Sequence, residues 1–134
     1  MAVPLLVLTV SCGGSNSSKV APNLSNKEKI SKKIMAATDK DLFLYKGIGT
    51  TYVCNALSVG LKFSKAIGIA SATYTQVLNA RHGGRVASVG DKKLSDDQLL
   101  SGSELQMVKG SYDHCPKEIP DEIRGKIKSA LSKQ

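Results

Sequence analysis

Residues 42–57 read LFLYKGIGTTYVCNAL. Leu42–Tyr45 and Thr50–Asn55 are rich in β-branched and aromatic residues, and Gly47-Ile48-Gly49 stands between them as a turn. Such residues fit a pleated strand, and a short glycine-containing break joins two strands. The pattern predicts a β-hairpin with Cys54 on its second strand. Gly47-Ile48-Gly49 is no phosphate loop, because neither a third spaced glycine nor a Gly-Lys-Ser/Thr sequence follows.

Around the hairpin the chain reads as helical. Residues 61–81, LKFSKAIGIASATYTQVLNAR, repeat apolar side chains at three- and four-residue steps. This sets Phe63, Ala66, Ile67, Ala70, Tyr74, Val77 and Leu78 on one face. Lys62, Lys65, Ser71, Thr75, Gln76 and Asn79 fall on the other. Arg81 and His82 suit the negative end of the helix dipole, and Gly83-Gly84 supply a left-handed stop. Upstream, Ser25-Asn26 caps a basic helix through KEKISKKIMAA, residues 27–37. Downstream, Arg85–Val89 predicts a short strand. Ser95-Asp-Asp-Gln98 predicts a capping box opening a helix to about Ser111, with Leu99, Leu100, Met107 and Val108 as its apolar residues. The last helix starts near Pro120, carries Asp121 and Glu122 in its first turn, and turns Ile123, Ile127 and Leu131 inward. The expected fold is α+β: a mainly helical small domain with one β-hairpin and one disulfide.

With 4% aromatic residues and no Trp, the core must come from Leu, Ile, Val, Ala and Met. Three cysteines are present and none forms a Cys-x-x-Cys pair. Cys54 and Cys115 with His82 and His114 lack the paired spacing of a zinc site, so neither a metal nor a cofactor is expected. A Cys54–Cys115 disulfide is the simpler account. It would close a loop of about sixty residues and, on the chain-entropy model, add roughly 4 kcal/mol.

The N-terminal run Ala2–Val10 is apolar, too short to span a bilayer, and of the size of a signal-peptide core. It leads into Thr9-Val10-Ser11-Cys12 and a Gly/Ser/Asn stretch. This resembles a bacterial lipoprotein signal, which implies lipidation at Cys12. Thr9 stands where such motifs favour Leu, and no Lys or Arg precedes Lys19. The expected organisation is therefore a signal-like segment over 1–12, a linker over 13–26, and one globular domain over 27–134. The localisation implied is exported, in the periplasm or cell envelope.

The formal charge of +8 favours acidic partners. No aromatic stacking platform and no helix-turn-helix signature appears, so no specific nucleic acid is expected. The basic run Lys27–Lys33 suits anionic lipid or another acidic envelope component.

Arg81-His82-Gly83-Gly84-Arg85 resembles the Arg-His-Gly-x-Arg core of histidine acid phosphatases. In that family the nucleophilic histidine follows a strand and is served by a second histidine and an acid. Here His82 ends a helix, Ala87 replaces the expected proline, and the only other histidine is His114. Arg81, His82 and Arg85 thus stand as an anion-binding candidate. His82 and His114 are catalytic candidates only under the alternative of a phosphoester hydrolase.

The runs TYVCNALSVGLKFSKAIGIASATYTQVLNARHGG and VGDKKLSDDQLLSGSELQMVKGSYDHCPKEIP resemble small exported proteins of marine cyanobacteria. Those proteins combine a Tyr-x-Cys hairpin, a helix ending in His-Gly-Gly and a late Cys-Pro. The resemblance implies no established activity. A cyclic-nucleotide phosphodiesterase or metallo-β-lactamase reading would require a His-x-His-x-Asp-His cluster, which this sequence lacks. The expected function is a non-enzymatic binding or cell-envelope module.

Overall fold

A computed structural model describes residues 33–90 and 92–133. The signal-like segment with Cys12, the linker over 13–26 and residues 27–32 of the basic helix lie outside the described residues. The described part of that helix, Lys33–Ala36, is irregular.

The hairpin is overturned. Residues 42–57 fall within one helix, α1 (Asp39–Ser58), followed by α2 (Phe63–His82), α3 (Asp96–His114) and α4 (Asp121–Leu131). The domain is helical, with no sheet among the described residues. Thr38 starts α1 with a capping box: its hydroxyl accepts from the Asp41 N–H, and the Asp41 carboxylate accepts from the Thr38 N–H. Asp39 and Asp41 also lie favourably in the positive first turn.

Two glycines that would weaken a helix are tolerated because of packing. A Cβ on Gly49 would overlap the Met107 side chain of α3, and one on Gly110 of α3 would overlap the Thr50 hydroxyl of α1. The two helices approach closely through reciprocal notches. Burial of Thr50, Val53, Ala56 and Leu57 at helical spacing then overrides the β preference of the segment.

The expected α2 face holds: Ala66, Ile67, Ala70, Tyr74 and Leu78 are buried. Ser71 and Thr75, expected on the polar face, are buried as well. The Ser103 hydroxyl of α3 donates to the Leu99 carbonyl at 2.6 Å, so the Thr75 hydroxyl, 3.1 Å away, donates to Ser103. Small hydroxyl side chains therefore line the α2–α3 contact, where a larger residue would hold the helices apart.

The helix ends follow their sequence signals. Gly83 closes α2 at φ +60°. Ser95 and Gln98 form the expected box at the start of α3, which runs on to His114. The strand expected over Arg85–Val89 is absent. Val86 forms one isolated parallel bridge with Ala37, Arg85 forms one with Lys93, and Ala87–Val89 is a 3-10 turn. The core comprises Val53, Tyr74, Leu78, Leu99, Met107, Ile119 and Ile127 with smaller residues around them, and α4 closes it with Ile127.

Candidate functional site

His82 lies where the sequence put it, in the last turn of α2, but its surroundings are structural. Its Nδ1 is 3.0 Å from the Met35 carbonyl and its Nε2 is 3.0 Å from the Tyr45 hydroxyl. A carbonyl only accepts, so Nδ1 carries a hydrogen; in the neutral ring Nε2 then accepts from Tyr45. The Tyr45 ring meets the His82 ring at 5.8 Å and the Tyr74 ring edge-on at 6.3 Å. One imidazole thus joins the segment before α1, α1 itself and the end of α2. Neither nitrogen keeps a free lone pair for a phosphoryl group in this geometry.

The anion-binding candidates are only partly brought together. Arg81 and His82 line one cleft with Lys33, Thr38, Asp41 and Tyr45; Arg85 is not among its walls. Asp41 adds negative charge there. Its carboxyl is held below the ordinary value of 3.8, first by the hydrogen bond to the Thr38 side chain and next by the Thr38 backbone bond, with the nearby Lys40 charge adding less.

His114 is placed elsewhere, exposed at the end of α3, where Nδ1 donates to the Gly110 carbonyl at 2.9 Å. It lines a cavity with Cys54 and Cys115 that does not include His82. Cys54 and Cys115 are joined by a disulfide with Cα atoms 5.8 Å apart, fastening α1 to the residue that follows α3. Among the described residues no three His, Cys, Asp or Glu side chains gather to hold a metal ion.

A concave site between the helices went unseen in the sequence. Between α1, α2, α3 and the 86–94 loop lies a cavity of about 430 Å³, walled by Leu42, Tyr74, Leu78, Val86, Leu94 and Leu99. Lys46, Gln98, Ser103 and Gln106 add polar groups, and Asp39 lies on its wall. Apolar walls with a few polar groups, at a volume of about 300–1,000 Å³, typify small-molecule sites. Tyr74 is nearly buried, and burial, with Tyr45 beside it, pushes its phenol up from its ordinary value. A second cavity of about 430 Å³ beside the disulfide shares Phe43 and Lys46 with the first. The available signal was the spacing of Phe43, Lys46, Gly47, Thr50 and Cys54. As a helix, residues 42–57 put these on one side; as a hairpin, they scatter.

Searches of curated proteins and of solved structures found no match. Residues 40–134 match the model of a domain of unknown function, DUF8650, and the chain belongs to that family.

Proposed function

We propose that this protein is an exported, non-enzymatic binding module of the cell envelope, tethered by lipid at Cys12, with the groove that the two cavities sharing Phe43 and Lys46 form along α1 as its binding site. The observation that carries this reading is the Cys54–Cys115 disulfide. Disulfides persist in oxidising compartments and are rare where thiols are kept reduced. The signal-like run before Cys12 and the resemblance to small exported cyanobacterial proteins support the same reading. With Cys12 lipidated, Lys27–Lys33 would lie within reach of anionic head groups.

A hydrolase built on His82 has less support, since both ring nitrogens are engaged by Tyr45 and Met35. No helix among the described residues is long and apolar enough to cross a membrane, so attachment in this reading falls to the lipid. Fractionation of native cells with intact-mass analysis tests the proposal. The expected result is an envelope-associated chain starting at Cys12, heavier by a lipid and lighter by two hydrogens for the disulfide. A cytoplasmic chain with residues 1–11 retained and free thiols would overturn it.

A further inference from the structure

We infer that the groove along α1 binds a single-chain anionic amphiphile, its acyl chain in the Leu-lined cavity and its carboxylate or phosphate at Lys46. The inference rests on the groove being the binding site and is independent of where the protein resides. The two cavities differ in chemistry. The first is walled by Leu42, Leu78, Val86, Leu94 and Leu99, which favours an alkyl chain released from water.

The second has Thr51, Asn55 and His114 on its walls and no carboxylate among them. Lys46 lines both cavities, and among the described residues it forms no ion pair. Lys46 therefore stands where the two cavities meet, and brings a positive charge to that junction. His114, which donates through Nδ1 to the Gly110 carbonyl, forms part of the same wall and adds no negative charge to it. Among the described residues the only acid on either cavity is Asp39, on the apolar one. Phe43 lines both cavities while 81% exposed, a placement that leaves its ring available to cover a bound chain. Charge complementarity thus selects an anionic head group, and the apolar lining suits an alkyl tail.

Calorimetric titration of the full chain with laurate, dodecyl phosphate and uncharged monolaurin, all below their micelle-forming concentrations, tests this. One-to-one saturable binding of the two anions is expected, about tenfold tighter than monolaurin. Lys46→Gln should erase that preference, and Phe43→Ala should weaken all three ligands. The tighter of laurate and dodecyl phosphate tells whether the natural head group is a fatty-acid carboxylate or a lipid phosphate; either order supports the inference. Absence of saturable binding by all three overturns it, as does a preference for anions that survives Lys46→Gln. Self-association lost in Phe43→Ala, without probe binding, assigns the groove to a second copy of the chain and also overturns it. Thermal unfolding of both variants confirms that they fold. The titration uses purified protein, so its failure leaves the export reading intact, and a cytoplasmic location leaves the groove chemistry intact.

Discussion

The Tyr45 hydroxyl and His82 Nε2 lie 3.0 Å apart, and through the other nitrogen of His82 the same contact reaches Met35. A histidine inside a phosphatase-like string is thereby committed to holding three chain segments together.

His82→Ala should lower the stability of the domain by about 1–2 kcal/mol, and Tyr45→Phe by about 1 kcal/mol, since the first loses a partly buried and an exposed hydrogen bond and the second only the partly buried one. Denaturant unfolding reads both. The double variant should cost less than the sum, because the two residues share one bond. A His82→Ala protein as stable as the parent would show that the contact carries no weight.

Alanine at three glycines should give opposite signs. Gly49→Ala and Gly110→Ala force a methyl group into Met107 and Thr50 and should destabilise by about 1–3 kcal/mol or more. Gly47 has nothing within 4 Å, so Gly47→Ala should stabilise by up to about 1 kcal/mol through helix propensity. Thermal melts of the three variants check this. Destabilisation by Gly47→Ala would contradict the helical assignment of residues 42–57.

Reduction of the Cys54–Cys115 bridge should cost roughly 4 kcal/mol for its separation of 61 residues. Unfolding with and without reductant measures it. Replacing both cysteines with serine should give the reduced value in either condition.

The Thr38–Asp41 capping box should be pH-dependent. The folded carboxyl titrates below its ordinary value of 3.8, so its contribution is present above that value and is lost as pH falls through the folded one. NMR titration of the Asp41 side-chain carboxyl should show a lowered midpoint. Thr38→Ala should return it toward normal, since the Thr38 bond is the largest cause.

The helices with local punctuation were legible in the sequence. Ser95 and Gln98 mark the start of α3, Pro120 stands just before α4, and Gly83 stops α2. Helix α1 was not, because Gly49 serves a crossing partner, Met107, that local sequence cannot reveal. Ser71 and Thr75 misled for a similar reason: short hydroxyl side chains read as solvent-facing, yet both are buried, and Thr75 meets Ser103 of α3. At the site, the disulfide pairing and the helix-end position of His82 were legible. The partners Tyr45 and Met35 were not, since the hairpin reading put Tyr45 on a strand. Misassigning α1 also hid the groove, because Phe43 and Lys46 align with Thr50 and Cys54 only on a helix.

The bridge between Cys54 and Cys115 turns the middle of the chain into a covalent ring containing all of α2 and α3. Most of α1 enters that ring as one arm, and α4 leaves it as another. A protease cut at any bond within the ring leaves both fragments attached, with the three long helices still tied together. A cut just after Cys115 instead severs α4 from the ring, and the core residues Ile119 and Ile127 go with the released piece. Susceptibility to nicking is therefore divided by topology: the ring tolerates a break that the C-terminal arm does not.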